Sequence, residues 1–98
     1  MKKKMEKRNT QPYFSGGIGA YDIGAYIVIH SKDKGKNPLQ VGGQLAHRLR
    51  MRSLETASLL SGIRIAQVFK IPQDIKEEVE RIVPKWQFYK ELKELLQI

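Results

Sequence analysis

Apolar residues at every third or fourth position predict helices in several parts of the chain. The clearest helix begins at Asn37, a favoured N-cap residue, with Pro38 at the first helical position. Its apolar stripe consists of Val41, Leu45 and Leu49. We expect this helix to end near Met51, with glutamines, a histidine and arginines on the face turned away from the core.

A second helix is predicted from Ser53, a good N-cap residue, to Gly62, a residue type that often follows the last helical turn. The segment 63–71 then allows two interpretations. As a strand, it places Ile63, Ile65, Phe69 and Ile71 on one face. As a helix, it would be short and rich in β-branched residues, which lose side-chain freedom in a helix. The strand is the preferred prediction.

Two more helices are predicted in the last quarter of the chain. Asp74 is an N-cap residue for a helix that Pro84 breaks or kinks, and its apolar stripe consists of Ile75, Val79 and Ile82. The segment 85–98 is amphipathic, and its broad apolar face contains Trp86, Tyr89, Leu92 and Leu96.

An uninterrupted apolar run lies at Tyr26 to His30 and includes Ile27, Val28 and Ile29. A β-branched run without polar positions is typical of a strand that is buried on both faces. The sequence therefore predicts a single, helix-dominated α+β domain over residues 13–98, with the element order β-α-α-β-α-α. Residues 1–12 are charged and polar without periodicity, which indicates a flexible basic tail.

Charge is concentrated in the first half of the chain. The net charge is +8, and residues 53–98 contribute none of it because they hold equal numbers of cations and acids. The cations of the first half include three clusters, in the tail, in the loop around Gly35 and at the end of the first predicted helix: Lys2, Lys3 and Lys4; Lys32, Lys34 and Lys36; Arg48, Arg50 and Arg52. A basic face is the electrostatic footprint of a nucleic-acid-binding protein. We therefore expect a small, DNA-associated or otherwise nucleic-acid-binding protein whose phosphate contacts come from these clusters.

Two further patterns are compatible with nucleic-acid binding. Bases could stack on Tyr13, Phe14 or Tyr21, although the same rings could instead cover the core. A helix-turn-helix over residues 54–71 would place Arg64, Gln67 and Lys70 on a recognition helix. The preferred strand at 63–71 argues against that interpretation.

No pattern of catalytic or cofactor-binding residues stands out in the sequence. Neither His30 nor His47 has an acid at a spacing that predicts a catalytic dyad, and no group of residues has metal-ligand spacing. The glycines at 16, 17 and 19 lack the context of a dinucleotide or phosphate-binding loop. We expect a non-enzymatic protein without a metal or cofactor. The absence of cysteine and of a membrane-length apolar run leads us to expect a cytoplasmic protein.

The alternative prediction is a protein-interaction or regulatory module. The last predicted helix carries more large apolar side chains than a small domain can easily bury. In this interpretation its face contacts another protein or a second copy of the chain through Trp86, Tyr89, Leu92 and Leu96.

Overall fold

The computed structural model describes residues 13, 14 and 16–98. They form five α-helices and one short 3-10 helix: α1 (Ala20–Lys34), α2 (Pro38–Arg48), α3 (Ser53–Val68), α4 (Gln73–Ile82), the 3-10 helix (Val83–Lys85) and α5 (Tyr89–Leu96). Across these described ranges there is no strand. The predicted α+β class with the order β-α-α-β-α-α is therefore wrong, and the domain is all-helical. The predicted tail, residues 1–12, lies outside the described residues.

The central helix is α1, which contains the Tyr26–His30 run that the apolar pattern predicts as a strand. It packs against every other helix, so residues on several of its sides, including Ile23, Tyr26 and Ile27, are buried. A helix surrounded in this way carries apolar residues on most faces, and a short piece of it cannot be distinguished from a buried strand by periodicity. Gly35, at φ 66°, ends α1 in the left-handed conformation.

The helix predicted from Asn37 is confirmed as α2, with a slightly earlier end. The Asn37 side chain accepts hydrogen bonds from the backbone N–H groups of Leu39 (3.0 Å) and Gln40 (3.4 Å). Pro38 occupies the first helical position. The predicted apolar stripe faces the core, since Val41 and Leu45 are buried and Leu49 is half-buried.

The predicted second helix and residues 63–68 of the predicted strand are one continuous helix, α3, and residues 69–71 connect it to α4. Gly62 lies inside this helix and not at its end. A Cβ atom on Gly62 would lie 2.7 Å from the carbonyl oxygen of Ala20, and one on Gly24 would lie 2.7 Å from the carbonyl carbon of Gly62. Glycine at these positions therefore allows the backbones of α1 and α3 to touch. The continuous helix also excludes a helix-turn-helix whose turn lies at Gly62.

Both helices predicted in the last part of the chain are present, but their starts differ from the prediction: Pro72 and not Asp74 is the N-cap residue of α4, and α5 begins at Tyr89 and not at residue 85. In α4 the apolar stripe faces the core, with Val79 fully buried, and the 3-10 helix begins at the residue before Pro84. The amphipathic helix expected at the end of the chain is α5, which closes the core with Leu92 and Leu96. No helix in the described part of the chain is long and apolar enough to cross a membrane.

Candidate nucleic-acid interface

Four lysines surround one cleft at the end of the molecule where α1 and α3 finish and α2 and α4 begin. This lysine cleft, with a volume of about 690 Å³, is lined by Lys32, Lys36, Lys70 and Lys76 together with one acid, Asp33. Its lining also includes the apolar residues Val28, Ile29 and Ile71. Lys32 and Lys70 are exposed, and Lys36 and Lys76 are half-buried.

The turn after α1 brings the first two lysines of the cleft together. The Lys36 N–H donates to the carbonyl of Ser31 (2.9 Å), which folds the chain back over the last turn of α1 and places Lys36 beside Lys32. Two of the predicted phosphate-contacting lysines, Lys32 and Lys36, therefore do converge. Lys34 is exposed at the end of α1 but does not line the cleft.

Sequence reasoning missed Lys70 and Lys76 as members of the same cluster. Lys70 comes just after the end of α3, and Lys76 lies in the first turns of α4. Their approach to Lys32 depends on α3 running as one helix along α1. The helix-turn-helix alternative named Lys70 but did not connect it with Lys32, whereas Lys76 has no signal in the sequence that separates it from an ordinary surface lysine.

The three predicted arginines lie at the opposite end of α2, in a second basic cluster that we call the arginine turn (Arg48, Arg50 and Arg52). The eleven residues of α2 run from Pro38, which lines the lysine cleft, to Arg48 in the arginine turn, a length of about 16 Å at the helical rise per residue. Arg48 Nη1 pairs with Glu94 Oε1 at 3.1 Å, in an exposed ion pair between α2 and α5. Arg50 and Arg52 are exposed.

Backbone bonds give the arginine turn a defined shape. Met51 N–H donates to the carbonyl of Ala46 (2.9 Å) and Arg50 N–H donates to that of His47 (3.1 Å). Arg50 adopts the left-handed conformation, with φ 57°, which this kind of helix end requires and which glycine adopts most easily. The Arg52 N–H donates to the carboxylate of Glu55 (2.8 Å) at the start of α3.

A surface poor in acids connects the two basic clusters. From Lys34 to Gln73 the sequence contains a single acid, Glu55, and seven cations: Lys34, Lys36, Arg48, Arg50, Arg52, Arg64 and Lys70. The exposed face of α2 between the clusters carries Gln40, Gly43, Gln44 and His47. The segment from Lys34 to Gln73, which includes α2, α3 and their connections, is therefore the basic part of the described chain, while six of the ten acids lie after residue 73.

The aromatic residues considered for base stacking are part of the packing. The Tyr13 hydroxyl donates to the carbonyl of Leu49 (2.9 Å), and its own carbonyl accepts a hydrogen bond from the indole of Trp86 (2.8 Å). The Tyr13 ring also lies 5.4 Å from that of Phe88. Phe14 and Tyr21 are half-buried and pack against the core. Tyr13 thus connects the ends of α2 and of the 3-10 helix.

The residues predicted as a protein interface are mostly inside the single chain. Trp86, Leu92 and Leu96 are at most 5% exposed, and the half-buried Tyr89 shares a 2.7 Å hydrogen bond with the hydroxyl of Tyr26. Large apolar side chains are instead exposed along α3 and just after it: Leu54 (70%), Ile65 (48%), Val68 (74%) and Phe69 (66%). The strand prediction concealed this face, because it placed Val68 and Ile65 on opposite sides of a sheet.

The histidines lie in two different settings. His30 Nε2 lies 2.8 Å from Glu80 Oε2, and its ring packs on Tyr26. Burial, followed by the hydrogen bond with Tyr89, raises the pKa of Tyr26 well above its usual value, so this phenol stays protonated. His47 is exposed on α2. Among the described residues no group of three or more potential ligands could hold a metal ion.

The tail lysines Lys2, Lys3 and Lys4 lie outside the described residues.

Comparison of the chain with models of known protein families, with curated proteins and with solved structures finds no match.

Proposed function

We propose that this protein is a non-enzymatic nucleic-acid-binding protein that contacts the phosphate backbone through its lysine cleft and arginine turn. The observation that carries the proposal is the convergence of Lys32, Lys36, Lys70 and Lys76 around one cleft with a single acid. These four residues come from three separate parts of the chain. The proposal includes a cytoplasmic location, where nucleic acid is accessible.

Clustered lysines favour a polyanion over a small neutral ligand. Four cations and one carboxylate leave an excess of positive charge at the cleft, and each ammonium group mainly repels its neighbours until an anion enters. Phosphate groups along a backbone can satisfy several lysines at once and release condensed counterions as they do so. The arginine turn lies at the other end of α2, about 16 Å away. A ligand that contacts both clusters must therefore carry more than one phosphate group.

The test is a salt series of binding to labelled duplex and single-stranded oligonucleotides, measured by fluorescence anisotropy. The double variant Lys32→Gln with Lys70→Gln removes two exposed cleft cations and leaves the helices intact. We expect weaker binding and a log-log salt slope that is reduced by up to about 1.8, since each phosphate that a lysine neutralises contributes about 0.9 to the slope.

The matched control is Lys85→Gln with Lys90→Gln, which makes the same change in net charge at exposed positions outside both clusters. Its salt slope should fall much less. Equal slopes for the two double variants would show that only total charge matters and would contradict a cleft-specific contact. An absence of binding to every nucleic acid at low salt would overturn the proposal.

A second function, self-association, is favoured by a different observation. The exposed apolar residues Ile65, Val68 and Phe69 lie together at the end of α3, and monomeric proteins rarely expose such a group without a partner. A second copy of the chain offers the same apolar surface in return, as in a two-fold symmetric interface.

A further inference from the structure

We propose that α2, the turn 49–52 and α3 form a helix-turn-helix that reads double-stranded DNA through the first half of α3. The inference rests on the proposed function and deepens it by naming the ligand and the reading surface. It differs from the sequence-based hypothesis, in which the turn lies at Gly62. In the structure the turn lies around Arg50, ahead of α3, and Gly62 is inside the second helix of the pair.

The connection between the two helices has the length and closure of such a motif. Four residues separate Arg48 from Ser53, and helix-turn-helix units have turns of three to four residues. The turn contains one left-handed residue, Arg50, where glycine is common in these motifs. The backbone bond from Met51 to Ala46 (2.9 Å) holds the turn closed.

Buried side chains fix the two helices to each other. Leu45 of α2 and Leu59 of α3 are fully buried, and Ala46 is 4% exposed. A Cβ atom on Gly42 would clash with the Ile63 side chain and would lie 3.3 Å from that of Leu60, so α2 approaches the middle of α3 closely. This packing makes the pair a single rigid unit that can present one face to a ligand.

The outward face of the first half of α3 suits the major groove. Ser53, Leu54, Ala57 and Ser61 are exposed on it. None of them is acidic, and three are short enough to let the helix backbone come close to the bases. The groove is about 12 Å wide and accepts one α-helix. Serine hydroxyls can bond to base edges, and alanine can contact the thymine methyl group.

Cations lie at both ends of α2, the first helix of the pair. Arg50 and Arg52 are exposed in the turn that leads into α3, and Lys36 comes shortly before α2. In a helix-turn-helix the second helix enters the major groove with its N-terminal residues at the bases, while the first helix crosses the backbone. Arginines at the start of α3 and a lysine at the start of α2 are therefore placed to contact phosphates on either side of the groove.

The experiment selects duplexes from a randomised pool with the full chain and then compares affinities for the selected and an unrelated duplex. We expect one short sequence to be enriched. In Ala57→Glu, which adds an acid at an exposed position of α3 and keeps a residue of good helix propensity, affinity for the selected duplex should fall at least tenfold. Its preference over the unrelated duplex should disappear. Circular dichroism melting checks that the variant folds.

Lys90→Gln on α5 makes the same change of one charge unit and serves as the control. It should keep the sequence preference of the wild type. If the wild type binds duplexes but enriches no sequence, or prefers RNA or single strands, the helix-turn-helix inference fails while the proposed nucleic-acid function stands. If Ala57→Glu folds and keeps the preference, another surface reads the bases and the inference also fails. If no nucleic acid binds, both proposals fail.

Discussion

Gly24 and Gly62 set the distance between α1 and α3, because the two backbones meet where neither residue has a side chain. A methyl group at either position would meet backbone atoms of the other helix, and backbone cannot move aside as a flexible side chain can. Gly43, on the exposed face of α2, is a contrasting case, since nothing lies within 4 Å of the Cβ position there. The same residue type thus has a packing role at two positions and none at the third.

Gly62→Ala should therefore destabilise the protein, whereas Gly43→Ala should stabilise it. We expect a loss of about 2–3 kcal/mol for Gly62→Ala, the upper part of the range for overpacking, because the clash is with backbone. For Gly43→Ala we expect a gain of about 0.5–1 kcal/mol, the ordinary effect of replacing glycine in a helix. Urea denaturation measures both. Similar stability changes in the two variants would show that the α1–α3 contact is looser than described.

Arg50 combines a strained backbone with a charge, and the two effects can be separated. Arg50→Gly should raise stability by about 1 kcal/mol, since the left-handed conformation costs a non-glycine residue about that much. It should also weaken nucleic-acid binding by removing one exposed cation. Arg50→Gln is the matched control, because it removes the same charge but keeps the strain. A gain in stability for both variants would point to relief of charge repulsion and not of backbone strain.

At the level of elements, the helices at 38–48, 73–82 and 89–96 were predictable because each is amphipathic and has a recognisable start or stop. α1 and the second half of α3 were not. Tyr26–His30 is apolar on most sides since α1 lies at the centre of the domain, and residues 63–68 combine a preceding glycine with β-branched residues. Both features favour a strand locally. The close contact between α1 and α3, which are distant in sequence, is made by helical backbones and is not visible in the local pattern.

The placement of apolar residues on α3 and α5 predicts opposite results for two similar substitutions. Leu92→Glu puts a charge at a fully buried position of α5 and should unfold the domain. Val68→Glu changes a residue that is 74% exposed on α3 and should leave the fold intact. If α3 mediates self-association, sedimentation should show the wild type as a dimer and Val68→Glu as a monomer. A wild type that is monomeric at every concentration would reject the dimer, and a folded Leu92→Glu variant would contradict the described core.

On the scale of the whole molecule, the net charge of +8 and its clusters were readable from the sequence, but their arrangement was not. The lysine cleft joins Lys32 to Lys76 across the ends of four helices, which requires the tertiary fold. The same holds for Trp86, which is buried with its indole bonded to the carbonyl of Tyr13. Burial and convergence of this kind depend on long-range contacts, which local patterns do not encode.

Residues 34–73 carry a net charge of +6, whereas residues 74–98 carry −1, and such an uneven distribution contributes an electric dipole moment to the domain. A polyanion would exert a torque on such a dipole before any contact forms, turning α2 and α3 toward the phosphates during diffusion. Encounters would then be productive over a wider range of initial orientations. The consequence is kinetic: added salt should slow association more than it speeds dissociation, because screening acts on the approach, whereas dissociation also depends on short-range contacts that are already made.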